Sequence, residues 1–199
     1  MGRKEKGNRI QPNRPMKKIF LVLTACLSLA GTKAQETNQP MKILVACFSY
    51  SGNARTVAEQ IRKATGADFF GIEVRDAYPS DYQGVLDRAK REIGNDEKPA
   101  LKAMPENLAA YDVIFIGSPN WWNTIAPPVA AFLSSGDFTG NTLVPFVTHG
   151  GGGMAHCETA VKRLCPTATL LKGLAVNGSS VAAAAPRVER WLKEIGVGK

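Results

Sequence analysis

Four short patterns that would each name a chemistry are missing from this sequence. There is no C-x-x-C pair, no G-x-G-x-x-G, no G-x-x-x-x-G-K-[ST] and no G-x-S-x-G. These absences exclude in turn a dithiol redox motif, a dinucleotide fingerprint, a phosphoryl-transfer P-loop and a serine-hydrolase nucleophile elbow. The last matters because His149-Gly150-Gly151-Gly152 imitates the oxyanion loop of some esterases and lacks the serine that would use it. Only two histidines occur, His149 and His156, too few for a convincing metal site. Acidic residues do not cluster after any apolar run, which removes a phosphoacceptor carboxylate site.

The formal net charge of +8 would suit nucleic acid or an acidic surface if it were evenly spread, and it is not. Residues 1–40 carry eight Lys/Arg against Glu5 and Glu36, whereas the remainder carries 17 basic and 15 acidic residues. The near-neutral remainder argues against a nucleic-acid partner. From Met16 the chain reads Met-Lys-Lys, an apolar run over 19–30, then small and polar residues. That is the plan of a secretory signal, too short for a permanent membrane span. Two processing readings stay open: cleavage before Gln35 after Thr32-Lys33-Ala34, or lipidation of Cys26 in Leu23-Thr24-Ala25-Cys26. Either implies export, to a periplasm or to a membrane-anchored lipoprotein; a polar cytoplasmic tail is the alternative. Residues 1–40 are therefore set apart from the folded domain at 41–199.

Three cysteines remain in that domain. Cys47 lies inside an apolar run and reads as a small apolar side chain. Cys157 and Cys165 stand eight apart, about 12 Å of helix rise, beyond the ~7 Å reach of a disulfide. Strands are predicted over 42–48, 68–74, 112–117, 142–148 and 169–174, and helices over 54–65, 82–93, 127–133, 154–164 and 182–195. Alternation of this kind makes an α/β fold with a five-stranded parallel sheet covered on both faces. At 199 residues one such domain has a core large enough to need no staples.

Ligands of these sheets sit beyond the carboxyl ends of the strands, which singles out three loops. In the first, Ser49, Ser51, Gly52, Asn53, Ala54, Arg55 and Thr56 bring hydroxyls, an amide and backbone N–H groups to a helix start, where about +0.5 charge suits a phosphate. A plain helix cap by Ser51 or Asn53 is the competing use. In the second, Pro119, Asn120, Trp121, Trp122 and Asn123 hold two of the three tryptophans, large rings that a planar aromatic ligand would cover. In the third, Thr148, His149, Gly150, Gly151 and Gly152 lead into Gly153, a run whose bare backbone admits a ligand closely.

The segments Ser49-Tyr50-Ser51-Gly52-Asn53, Tyr78-Pro79 with Asp81-Tyr82, Gly117 through Trp122, and Asp137-Phe138 with Pro145 through Gly153 resemble the short bacterial flavodoxin-like family. The resemblance covers 41–199. It implies a doubly wound sheet in the order 2-1-3-4-5 and non-covalent flavin mononucleotide (FMN). The phosphate would rest on Ser49, Ser51, Asn53 and the amides that follow. Pro119 to Asn123 would flank the isoalloxazine, and Thr148 to Gly152 would border its other edge. Ala54 departs from the pattern, which commonly has threonine there; Arg55 or Thr56 would have to compensate. The implied function is electron transfer to redox partner proteins or a quinone. An FMN-dependent NAD(P)H:quinone or flavin reductase is the first alternative, a non-enzymatic flavin-binding module the second.

Overall fold

A computed structural model describes residues 40–198; the expectations about the leader, its cleavage and Cys26 fall outside the described residues. Seven strands and five α-helices follow one another. They are β1 Ile43–Cys47, α1 Asn53–Thr65, β2 Asp68–Gly71, α2 Tyr82–Gly94, β3 Val113–Trp121, β4 Thr124–Ile125, α3 Pro127–Ser135, β5 Thr142–His149, α4 Cys157–Leu164, β6 Thr169–Leu170, β7 Leu174–Asn177 and α5 Ala185–Glu194.

The sheet runs β2-β1-β3-β5-β6, with β7 also pairing β5 and β4 forming an antiparallel hairpin on β3. Counted as sheet positions this is the expected 2-1-3-4-5 order, its fifth position shared by β6 and β7. Alternation along the strands splits the core. Leu44, Ala46, Ile114, Ile116, Leu143 and Val147 face α3 and α4 on one side. Val45, Cys47, Phe115, Val144 and Phe146 face α1 and α5 on the other. Because both faces are covered, the central strands read as uninterrupted apolar runs. Helix α1 buries Ala54, Val57, Ala58 and Ile61 and stops at Gly66, whose left-handed φ of 78° lets its N–H return to Arg62 O. Helix α3 opens with Pro127-Pro128, at positions whose missing N–H costs no hydrogen bond.

Several boundaries differ from expectation for local reasons. The predicted fifth strand over 169–174 is broken. Leu143 pairs Leu170 while Phe146 pairs Leu174, so the outer chain carries one extra residue, a bulge. It lies opposite Pro145, which has no N–H to offer the ladder. Side chains take up the slack: Gly173 N–H donates to Glu158 Oε1 at 2.6 Å, and Trp191 Nε1 donates to Lys172 O at 2.9 Å. Strand β2 ends at Gly71, and the chain beyond it forms a separate antiparallel bridge, Val74 to Leu101. Strand β3 runs on past Gly117 to Trp121 because it keeps pairing β5 as far as Pro119–Thr148. The helix predicted over 154–164 starts only at Cys157, after positive φ at Gly153 and Ala155. The predicted closing helix becomes a 3-10 turn, Gly178–Ala183, and then α5.

Candidate functional site

The carboxyl ends of β1, β3, β5 and β7 open into one cleft of about 950 Å³, within the ~300–1,000 Å³ span of small-molecule sites. Its lining combines Ser51, Asn53, Pro119, Asn120, Trp121, Trp122, Thr148, His149 and Gly150, all anticipated, with groups that the sequence did not assign to the site. Those are Tyr50, the stripe Tyr82, Val85, Leu86 and Ala89 on α2, and Asn177, Gly178 and Ser179 after β7. The strand-end rule, carried on to the last strand, would have found the second group. The α2 stripe has helical spacing but nothing in it distinguishes a cleft wall from core. None of Ser49, Gly52, Ala54, Arg55, Thr56, Asn123, Gly151 and Gly152, also anticipated, adds a side chain to the cleft lining.

At the first loop Gly52 occupies the N-cap of α1 with φ 86° and no side-chain bond to the first turn. The cap is supplied by Ser49, whose Oγ accepts the Arg55 N–H at 3.1 Å, so neither Ser51 nor Asn53 serves as one. Thr56 N–H donates to Gly52 O at 3.0 Å. The Asn53 and Ala54 N–H groups, first in the helix, have no protein acceptor among the described residues, and no acidic side chain stands in that turn. Open amides at a helix N-terminus are what an anion requires. Ala54 itself is 1% exposed and packed in the core. Neither expected substitute for its missing hydroxyl faces the cleft. Arg55 Nε binds Glu59 Oε1 at 2.7 Å with its guanidinium 4.0 Å from the Phe69 ring centroid. Thr56 Oγ1 donates back to Gly52 O at 3.2 Å.

The two tryptophans divide their work. Trp121 packs edge-on against Phe48 at 5.6 Å, Tyr50 at 6.1 Å and Tyr78 at 5.2 Å, which makes it the hub of an aromatic cluster under the cleft wall. Trp122 and Asn123 form the two-residue turn of the β3–β4 hairpin with φ of 52° and 65°, the positive-φ pair that a tight hairpin needs. Trp122 is thereby held 50% exposed at the cleft, with Lys90 Nζ 5.5 Å from its ring. A bulky residue at positive φ is uncommon; it persists here at a site with room for a ligand, as strained positions in functional regions do.

The second and third loops are fastened together. Asn120 Nδ2 donates to Gly153 O at 2.8 Å, and His156 N–H donates to Asn123 O at 3.0 Å. A Cβ on Gly152 would lie 3.4 Å from both Asn120 Nδ2 and Asn123 Oδ1, so that glycine serves the close approach of the loops. His149 Nδ1 accepts the Gly151 N–H at 3.0 Å, leaving Nε2 as its uncommitted edge.

No Lys, Arg, Asp or Glu is among the lining residues. Beneath the floor, burial pushes the Cys47 thiol up to about 12 despite the nearby Arg55, so it offers no thiolate to the site. No group of three or more His, Cys, Asp or Glu suited to a metal occurs among the described residues. The arrangement fits a phosphate monoester carrying a planar aromatic system: open N–H groups at one part of the cleft, an exposed indole at another, and no formal charge between.

Comparison with known proteins gives this geometry relatives. A family model described as Flavodoxin matches residues 42–195. A crystal structure from Bacteroides uniformis, of a protein assigned as a flavoprotein, is 31% identical with a TM-score of 0.70, covering 78% of this chain and 99% of that one. A flavoprotein from Lactobacillus acidophilus, crystallised in complex with FMN, is similar in fold, with 22% identity, a TM-score of 0.61 and coverage of 72% and 97%. Among curated proteins, the NAD(P)H dehydrogenase (quinone) of Cupriavidus metallidurans is 28% identical over 134 residues, 67% of this chain. The chain spans 64% of the length of that relative.

Proposed function

The chain belongs to the flavodoxin family, and from that premise we propose that it is an exported electron-transfer protein holding FMN non-covalently in the strand-end cleft. The observation that carries this reading is one uncharged cleft joining the open N-terminus of α1 to the Trp122 indole. When bound, FMN supplies reversible uptake of one or two electrons. The chain's residues bind it and set its environment. The Asn53 and Ala54 amides, the Ser51 hydroxyl and the helix field of about +0.5 charge take the phosphate. Trp122 and Pro119 offer apolar surface to the ring, and Thr148 to Gly150 border it through backbone and imidazole. No cationic side chain is among the cleft-lining residues, so the apolar surround would disfavour full reduction of a bound ring, with Lys90, 5.5 Å from the Trp122 ring, the cation placed to offset it.

The test is direct. Full-length protein purified from its native export host carries visible flavin absorption, and the released cofactor has the mass of FMN. Colourless protein that cannot take up added FMN overturns the reading. Fractionation of those cells and labelling with radioactive palmitate test export and a lipid on Cys26. Label retained by Cys26→Ser excludes that anchor.

A second reading, an FMN-dependent NAD(P)H:quinone reductase, draws support from the curated relative above. The absence of a cleft-lining cation to meet a dinucleotide pyrophosphate weighs against it. Steady NAD(P)H oxidation by the loaded protein in the presence of a quinone would establish it in place of partner-dependent transfer.

A further inference from the structure

We propose that the turn Asn177-Gly178-Ser179, on the fourth strand end, is a second phosphate-binding element, with Asn177 Nδ2 donating to the phosphate monoester beside the N-terminus of α1. This deepens the FMN reading and rests on it.

Four observations converge on the turn. First, its three residues line the same cleft as Ser51 and Asn53. Strand register sets Asn177 beside His149, so the turn borders the third loop as well as the first. Second, the turn lies against the phosphate end: a Cβ on Gly178 would stand 2.7 Å from Asn53 Nδ2. The missing Cβ lets the turn's backbone come that near to the Asn53 side-chain amide, which a methyl there would push aside. Third, the amide of Asn177 is oriented by its neighbours. Its Oδ1 accepts the Ser179 N–H at 3.0 Å and the Ser179 hydroxyl at 2.8 Å. Both partners are donors there, so the oxygen must face them, and Nδ2, which has no protein acceptor among the described residues, is available to a ligand in the cleft that Asn177 lines. Fourth, the turn is fixed to α1 rather than loose, because Gln60 Nε2 donates to Val181 O at 2.8 Å and Val181 is buried.

The chemistry follows from what the cleft does not contain. No Lys or Arg lines it, and the Ala54 side chain, buried in the core, brings no hydroxyl. A phosphate there depends on neutral donors. The α1 amides and Ser51 supply one set, and an amide NH₂ with its oxygen already occupied supplies another that cannot turn an acceptor toward the anion.

Asn177→Asp separates ligand binding from folding. A carboxylate still accepts both Ser179 donors, so the turn keeps its internal bonds, but it faces the phosphate with an acceptor and a negative charge. The full chain, stripped of flavin, is titrated with FMN and with riboflavin, which lacks the phosphate, following flavin fluorescence and thermal midpoint. Loss of a charge-assisted hydrogen bond predicts FMN affinity lowered about 10- to 100-fold, riboflavin affinity within about two-fold of wild type, and an unchanged apoprotein midpoint. Gly178→Ala, which displaces the Asn53 amide, is expected to show the same FMN-selective loss. Asn177→Asp binding FMN as wild type does, or losing FMN and riboflavin alike, overturns the assignment while leaving the FMN site in place. Wild-type protein that takes up neither flavin overturns the FMN reading and this inference with it.

Discussion

Arg88→Met tests whether a buried ion pair props the aromatic wall of the cleft. Glu92 on α2 is 4% exposed and is held by Arg88, whose Nε lies 2.7 Å from Glu92 Oε1, and by the Tyr78 hydroxyl, which donates to Glu92 Oε2. The Arg88 side chain is itself only 12% exposed, and its guanidinium sits 4.2 Å from the Tyr78 ring centroid. Its further contact with Asp76, a side chain 90% exposed, adds little. Removing the arginine leaves a buried carboxylate without its cation, which costs about 3–5 kcal/mol. A domain of this size shifts its midpoint by roughly 2–4 °C per kcal/mol, so a drop of about 6–20 °C is expected in thermal unfolding followed by circular dichroism. The apolar triple variant Arg88→Met/Glu92→Leu/Tyr78→Phe is expected to recover most of the loss, because no charge or hydroxyl is then left unpaired. Tyr78 also packs against Trp121, so the single variant weakens FMN binding while the triple variant restores it. A single variant within about 2 °C of wild type, several times less than the shift expected for this loss, would refute the argument. A triple variant no more stable than the single would refute it equally.

Trp122→Ala is expected to weaken FMN by about 1–3 kcal/mol, by analogy with base stacking, and to leave the apoprotein midpoint nearly unchanged, since the ring is 50% exposed. Trp121→Ala is expected instead to destabilise the apoprotein by about 3–5 kcal/mol, as the loss of a packed aromatic does; equal thermal effects from both would contradict the division of roles. Ser51→Ala is expected to lower FMN affinity more than riboflavin affinity; equal losses would place Ser51 outside the phosphate contacts. At alkaline pH the buried thiols decide the sign. Burial pushes Cys47 and Cys157 up from 9.0 to about 12 and Cys165 up to about 11. Their contribution is therefore fully present below pH 9, where the unfolded thiols are protonated too, and is eroded as the pH rises toward 11 and 12. Each group costs about 1.4 kcal/mol per pH unit across that window. Urea titrations at pH 8 and 10.5 check this, and stability that does not fall between them would contradict it.

Much of the scaffold was readable because its physics is local or periodic. Continuous apolar runs at 42–48, 112–117 and 142–148 announced strands covered on both faces, and glycine, serine and asparagine at their ends announced a ligand site. Where the reading failed, the deciding contact was remote in sequence. The bulge at Leu171–Gly173 comes from Pro145 on the neighbouring strand and is stabilised by Glu158 and Trp191. The capping role fell to Ser49 because the chain turns at Gly52 in a conformation that carries the nearer side chains elsewhere. Arg55 stands next to the anion site in sequence but on the outer face of α1 in space, since adjacent helical residues point about 100° apart.

By itself the sequence determined that this is a parallel α/β sheet with helices on both faces, and it pointed to the loops after β1, β3 and β5 and to a ligand combining a phosphate with an aromatic ring. Tertiary structure alone decided the membership of the cleft. It placed the α2 stripe across from the strand ends, brought Asn177 and Gly178 against Asn53, and separated Trp121 in the packed cluster from Trp122 at the surface. The physical reason is the range of the forces. Apolar periodicity and helix starts are set by neighbours along the chain, whereas which side chains share one cleft depends on sheet register and helix packing between segments far apart in sequence, as Asn53 and Gly178 are.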